Sequence, residues 1–262
     1  MLRKIRPLKR LIKLLFMNAF CNPQDYWNYY KLAIGASSLY KNSPVYLRPR
    51  NLKGHAVLCR PGTTDIGSLD DLLFYNYYLP SYSCESPQII LDLGANVGYT
   101  TIHFAYLYPT ARIIGVELDI NNFAILKENI KGLEDRIFII NAAVWYKSTI
   151  VSYQGNAEDA FQVEENLLPP KDHGLSVKSM TINQLMSEYS FDRIDFLKMD
   201  IEGAEKEILL THTPNWLSHV KHIKLEYHDK SYYAPLLQVL KKFGFFCSKD
   251  TKHWSSIEAI KR

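Results

Sequence analysis

Four groups of residues in this sequence carry side chains able to bind or move charge. The first is Asp92-Leu93-Gly94-Ala95-Asn96-Val97-Gly98, a glycine turn placed directly after an apolar run. Gly94 lets the backbone turn sharply and approach a ligand closely, and Gly98 permits tight packing of the helix that follows. A pyrophosphate site wants a glycine in the middle of G-x-G-x-x-G; here Asn96 holds that place. The turn therefore suits a ligand without a phosphate. Asp92 and Asn96 between them offer acceptors and a donor for a charged amino-acid end. The second group is Glu117, which closes the next apolar run about 20 residues later, the spacing of a carboxylate that takes both ribose hydroxyls in nucleotide-binding α/β folds. The third is Asn141-Ala142-Ala143, a polar side chain for an adenine edge beside two small residues that leave room for the ring. The fourth is Asp200, Glu202, Glu226 and His228.

A ligand with an ammonium, a ribose and an adenine but no phosphate is S-adenosylmethionine (SAM). The expected cofactor site is Asp92, Gly94, Ala95, Asn96, Gly98, Glu117, Asn141 and Ala142. A methyl acceptor would then lie beyond the fourth group. A hydroxyl acceptor needs a base, and His228, whose ordinary pKa suits neutral pH, is the first choice, with Asp200 and Glu226 as the other catalytic candidates. Two other readings stand beside this one. His228 hydrogen-bonds Glu226 or caps a loop, or else Asp200 and Glu202, with Glu226 and His228 beside them, hold Mg²⁺ against the acceptor oxygen. Glu202 and Glu205 equally suit the start of a helix. Lys198 is expected to face the sheet layer and pair with a carboxylate, without a catalytic role. His219 and His222 read as surface residues. Asp65, Tyr75, Tyr77 and Tyr78 form either part of a lid over the acceptor or ordinary core packing.

The elements that must position these residues follow from period and punctuation. Ala56–Cys59 reads as a short strand. Ser68 reads as the N-cap of a helix carrying Leu69, Leu72, Leu73 and Tyr77. From Gln88 onward strands and helices alternate: strands at 89–93, 112–117, 136–141, 194–199 and 222–227, and helices at 99–107, after a cap at Asn121, near 204–210 and at 233–243, the last stopped by Gly244. Thr181 caps a short helix, and 245–246 with 256–260 form an antiparallel edge. The expected fold class is α/β, a doubly wound, Rossmann-like, mostly parallel seven-stranded sheet with an N-terminal helical or irregular extension. Residues 1–54 form that basic extension and 55–262 the domain, its core beginning near residue 87. Ligands in such a sheet bind beyond the carboxyl ends of the strands, where all four groups fall.

The residues also resemble a known family. Asp92 to Tyr99 looks like the first motif of the FkbM-type methyltransferases. Lys198-Met199-Asp200-Ile201-Glu202-Gly203-Ala204-Glu205 resembles that family's more specific Lys-x-Asp-x-Glu-Gly-x-Glu string. Asn141 to Val144, Glu226-x-His228 and Arg60-Pro61-Gly62-Thr63-Thr64-Asp65 are similar to further family positions, and the resemblance spans roughly residues 55–247. It implies a class I fold and methylation of a hydroxyl on a sugar, a glycan or a secondary metabolite, hence a small-molecule or glycan acceptor. Two rivals use the same architecture: a nucleotide-dependent oxidoreductase, which the missing middle glycine disfavours, and a non-catalytic SAM- or SAH-binding module.

Bulk composition sets the remaining bounds. Of 31 basic residues six lie in residues 1–13 (Arg3, Lys4, Arg6, Lys9, Arg10 and Lys13), leaving 25 against 27 acidic ones, so the body is not a nucleic-acid surface by charge. Cys21, Cys59, Cys84 and Cys247 are scattered without a C-x-x-C, and no N-x-[ST] occurs, which reads as reduced and cytoplasmic. Residues 1–20 carry two readings: a cationic amphipathic helix in peripheral contact with a membrane, or a terminal helix packed on the domain with its lysines in water.

Overall fold

The structure is a computed structural model that describes residues 2–35, 43–81, 86–155, 161–164, 175–249 and 255–261. Cys84 and Pro169-Pro170 lie outside these residues. Helices α1 (Leu2–Phe16) and α2 (Pro23–Ala33) precede a short antiparallel pair, β1 (Val45–Leu47) and β2 (Val57–Cys59). Helix α3 (Asp65–Asp70) runs on into a π-helical turn, Asp71–Tyr75. Then come β3 (Ile89–Leu93), α4 (Tyr99–Leu107), β4 (Arg112–Glu117), α5 (Ile120–Asn129) and β5 (Ile137–Asn141). After β6 (Ala143–Val144), β7 (Ile150–Gly155), β8 (Phe161–Glu164) and β9 (Leu175–Met180), the alternation resumes with α6 (Ile182–Glu188), β10 (Phe196–Met199), a π-helical turn at Lys206–Thr211, β11 (His222–Glu226), α7 (Tyr233–Lys242), β12 (Phe245–Lys249) and β13 (Ser256–Lys261).

Local chemistry explains where these elements begin. Asp119 accepts from the amides of Asn121 and Asn122, so it, and not Asn121, caps α5. Thr181 and Gln184 form a reciprocal capping box on α6, as the sequence suggests. Helix α3 starts at Asp65, three residues before Ser68, because the Asp65 carboxylate is drawn back to Arg60, taking its backbone N–H at 2.8 Å and its guanidinium at 2.7 Å. Asp65 is thus a buried brace rather than part of a lid.

The central sheet has seven strands in the order β5-β4-β3-β10-β11-β13-β12. Neighbours run parallel from β5 to β11, and β13 enters antiparallel between β11 and β12. The expected edge hairpin therefore exists with its second strand inside the sheet. One face packs on α4 and α5 through Ile90, Ile113, Phe104, Leu126 and Phe196. The other packs on α6 and α7 through Leu91, Val116, Leu197, Leu185 and Leu240. The chain order reverses between β3 and β10, the switch point where such sheets bind ligands. The loosely patterned region after β5 folds into a second sheet, β6-β9-β7-β8. β1 pairs with β2 across residue 54, and Leu14, Phe20 and Tyr29 share the core cluster of Ile90 and Phe104.

One row across the sheet is charged. Asp92 on β3 aligns with Lys198 on β10, Lys198 with Lys224 on β11, and Lys224 with Glu258 on β13. All four are almost fully buried. The Lys198 ammonium lies 3.3 Å from Asp92 and 3.8 Å from Asp200, and also donates to the Gly94 carbonyl. Burial opposes its charge, but Asp92 and Asp200 outweigh that and hold its pKa above the ordinary lysine value. Removing one partner of a buried pair leaves the other uncompensated, at roughly 3–5 kcal/mol. Urea unfolding of Lys198→Met should show a loss of about that size. The double variant Lys198→Met/Asp92→Asn should recover part of it, since the orphaned carboxylate is gone.

Candidate active site

Two clefts open at the switch point and share a wall. The first, about 580 Å³, is lined by Gly94, Asn96, Val116, Glu117, Leu118, Asn122, Ala142, Ala143 and Val144 and by Asp200 to Glu202 with Ala204. The second, about 740 Å³, is lined by Ser68, Asp71, Tyr77, Tyr78, Lys198 and Glu226 together with the glycine turn. Gly94, Asn96, Asp200 and Glu202 line both.

The turn residues are set by close approach. Gly94 has φ +76°, and any Cβ there would overlap the carbonyl oxygen of Asp200; Gly98 has φ +89°, and a Cβ there would strike Leu126 of α5. Gly98 thus serves packing against α5. Asn96 adopts φ +50°. Its backbone N–H donates to Glu117 Oε2 at 2.7 Å and its Nδ2 to Ser68 at 3.3 Å. Its side-chain oxygen is buried with no hydrogen-bond partner among the described residues. Glu117 also accepts from the Asp119 amide at 2.8 Å. Burial raises its pKa to about 7, while the amides of Asp119 and Asn96 hold the rise in check.

Of the expected cofactor residues, Ala95 and Gly98 line only the second cleft, and two line neither. Asp92 is fully buried and turned toward Thr101 (2.6 Å) and Lys198, so it lines neither cleft. Asn141 donates its side-chain amide to the carbonyls of Glu117 and Leu118, both at 2.9 Å. It shapes the rim, while Ala142 and Ala143 face the first cleft. The Arg60-to-Asp65 segment braces that cleft from behind, with Arg60 donating to Asn122 at 2.7 Å.

On the other side of the shared wall the structure gathers carboxyls and one imidazole. His228 Nδ1 lies 3.2 Å from Glu205, and its Nε2 lies 3.4 Å from Asp200 and 3.3 Å from Glu202. Burial would lower the His228 pKa, but the hydrogen bond and charge of Glu205, with Asp200 and Glu202, raise it to about 9. His228 therefore already carries a proton at neutral pH, and both ring nitrogens face carboxylates. In this arrangement His228 is a cation set among the acids. Glu202 sits in the left-handed region at φ +53°. Burial and the neighbouring acids raise its pKa to about 8 against the pull of His228. Burial and Asp200 raise Glu226 as well.

Tyr77 and Tyr78, which the sequence leaves open between lid and core, serve the site. Tyr78 donates to Asp200 at 2.5 Å, and Tyr77 to Glu226 at 2.9 Å. Ser255, which sequence reasoning missed, donates to the other oxygen of Glu226 at 2.9 Å. Tyr75 is exposed and lines neither cleft. The segment is held down by the charged row, through Lys224 to the Leu79 carbonyl and the Ser81 amide to Glu258. His222 is buried and 2.8 Å from Glu258, not on the surface. Lys198, given no role from sequence, stands at the centre of the site.

The Mg²⁺ reading does not fit this donor set. Asp200, Glu226 and His228 bring ligand atoms within 4.8 Å of one another. Mg²⁺ favours oxygen ligands in octahedral geometry, whereas one of these three donors is an imidazole nitrogen, and Tyr77, Tyr78 and Ser255 already hydrogen-bond the carboxylates.

The chain was compared with known proteins. A family model described as the methyltransferase FkbM domain matches residues 92–247. A 2-O-methyltransferase, NoeI, of Sinorhizobium fredii is 26% identical over 176 residues, covering 60% of this chain and 71% of that protein. The methyltransferase sdnD of Sordaria araneosa is 25% identical over 216 residues, covering 70% and 83%. A crystal structure of an FkbM methyltransferase from Methylobacillus flagellatus aligns with 98% of this chain and 59% of its own at 15% identity, with a TM-score of 0.49.

Glu117, Glu202, Glu226 and His228 all bind protons more tightly folded than unfolded, so each contributes stability at low pH that is lost as pH rises through its folded pKa. The melting temperature of the ligand-free protein should therefore fall between pH 6 and pH 9. Differential scanning fluorimetry should find that slope reduced in Glu202→Gln.

Proposed function

The chain belongs to the FkbM methyltransferase family, and from that premise we propose that it transfers the methyl group of SAM to a hydroxyl oxygen of a sugar, a glycan or a secondary metabolite. SAM dependence comes with the family. Its membership also sets aside the oxidoreductase. The choice of oxygen draws support from the name of the 2-O-methyltransferase relative and from the polar lining of the second cleft, with Ser68, Asp71, Tyr77, Tyr78 and Glu226.

The observation that carries this reading is the shared wall. A methyl donor in one cleft and an acceptor in the other can meet only where Gly94, Asn96, Asp200 and Glu202 border both. The first cleft fits SAM. The unpartnered Asn96 oxygen suits the ammonium, the Glu117 carboxylate suits the ribose hydroxyls, and Ala142 and Ala143 leave space for a flat ring. When bound, SAM supplies a sulfonium-linked methyl group open to displacement.

The chain's own residues must deliver the oxygen in line and take its proton. Asp200 is the base in this reading. It lies on the shared wall, with its Oδ1 3.4 Å from the His228 Nε2. Tyr78 orients the carboxylate through Oδ2. Glu226 is committed to Tyr77 and Ser255, and Glu202, with its pKa raised to about 8, holds a proton at neutral pH. The hydroxyl proton passes to the Asp200 carboxylate as the new carbon–oxygen bond forms. The carbon–sulfur bond breaks, and its electron pair stays on sulfur. His228 is a positioning residue that holds Asp200, Glu202 and Glu205 in one place.

Two measurements test this. The ionised form of Glu117 is the better acceptor for ribose hydroxyls, so SAH affinity by calorimetry should rise by up to about tenfold from pH 6 to pH 8. Glu117→Gln should bind more weakly, without that dependence. With isotopically labelled SAM and a pool of glycans and small metabolites, Asp200→Asn should keep SAH binding but slow label transfer by on the order of 10²-fold or more. His228→Gln should slow it less. Wild-type turnover in Asp200→Asn would sink the base assignment. SAH binding without label transfer by the wild type would favour the non-catalytic module.

A further inference from the structure

Helix α1 buries one face and leaves a second apolar face in water. Pro7 and Leu14 are buried and Leu11 is half-buried. Leu8, Ile12, Leu15 and Phe16 are 47%, 45%, 53% and 88% exposed. At about 100° per residue, those four fall in one arc of roughly 100° on the helix. They are therefore a row and not scattered side chains. Lys9 and Lys13, both exposed, border the row on its Phe16 side. Arg10 lies toward the domain, 2.7 Å from Asp70, and fixes how the helix sits. Residues 1–24 contain no acid. The helix packs on the domain through Pro7 and Leu14 with Lys9 and Lys13 in water, and its second apolar stripe stays exposed.

A contiguous apolar face on a small protein marks an interaction surface. The chemistry of its border selects the partner. We propose that α1 lies flat on an anionic lipid surface, with Leu8, Ile12, Leu15 and Phe16 in the acyl boundary and Lys9 and Lys13 at the headgroups. An apolar row bordered by cations and lacking acids complements such a leaflet in both hydropathy and charge. No helix among the described residues is long and apolar enough to cross a membrane, so contact through α1 is interfacial. The helix is tied to the site by a short path: Arg10 grips Asp70 on α3, and Ser68 and Asp71 beside it line the second cleft. Docking through α1 would therefore act on the element that supplies part of the second cleft's lining.

The test is flotation of the full chain with vesicles of phosphatidylcholine alone or phosphatidylcholine with phosphatidylglycerol at seven to three. The expected result is at least about tenfold more protein on the anionic vesicles, lost in 0.5 M salt by screening of the surface charge. Ile12→Glu/Phe16→Glu changes only exposed side chains, and it should abolish flotation while keeping wild-type SAH affinity and melting temperature. Equal flotation of wild type and variant would overturn the proposal, as would no flotation of either. A change of the double variant from dimer to monomer in size-exclusion chromatography, without wild-type flotation, would assign the face to a second copy of the chain instead.

Discussion

A lysine ammonium buried under the switch point of a parallel sheet must be surrounded by negative groups, because an unpaired charge there is far more costly than any hydrogen bond can offset. Lys198 meets that demand with Asp92, Asp200 and the carbonyls of Leu93 and Gly94. The demand is geometric as well as electrostatic. It draws the glycine turn after β3 and the segment after β10 onto one cation, and so sets the distance between the two clefts. The missing Cβ at Gly94, where the Asp200 carbonyl takes the space, is the same constraint seen from the backbone.

The row continues beyond Lys198. Lys224 and Glu258, aligned on β11 and β13, tie down Leu79 and Ser81 and so position Tyr77 and Tyr78 over the acids. The low-dielectric interior that makes these charges expensive to leave unpaired also makes their pairing rigid. A chain segment without regular structure after the π-helical turn is thereby held against Asp200 and Glu226 from two directions: Tyr–carboxylate bonds on the site side and charge pairs beneath. The sheet supplies both the floor of the site and the anchor for its cover.

Much of the fold was legible because fully buried parallel strands read as apolar runs, and β3 to β5, β10 and β11 carry such runs. Where the reading failed, it gave the right face and the wrong partner. Asp92 sits at the strand end, as periodicity requires. What periodicity does not contain is that β10 lies alongside in a register that sets Lys198 against it. Asn141 closes β5 as expected, but its side-chain amide is taken by the carbonyls of Glu117 and Leu118. His222 looked like a surface residue because nothing nearby in sequence could pair with it; Glu258 arrives from β13, 36 residues away. The legible signal was a lysine inside an apolar strand: at Lys198 it gave the carboxylate pairing that the structure shows, and at Lys224 it went unused. Buried lysines require partners, and asking where the partners are would have led to the charged row.

The proton inventory of the site bears on its chemistry. Asp200, Glu202, Glu205 and Glu226 crowd around one imidazole, and like charges at such distances cannot all be ionised. The protein settles this by keeping His228 protonated and raising Glu202 and Glu226, so that the cluster carries surplus protons near neutral pH. A methyl transfer to a hydroxyl begins with a cationic donor and releases a proton. An acidic cluster that was fully ionised would attract the donor's positive charge most strongly before reaction, which favours the bound ground state over the transition state. Holding the cluster partly neutral weakens that pull, with Asp200 on the wall between the clefts. In the proposed transfer the imidazolium contributes by its charge and position, and the base is the acid beside it.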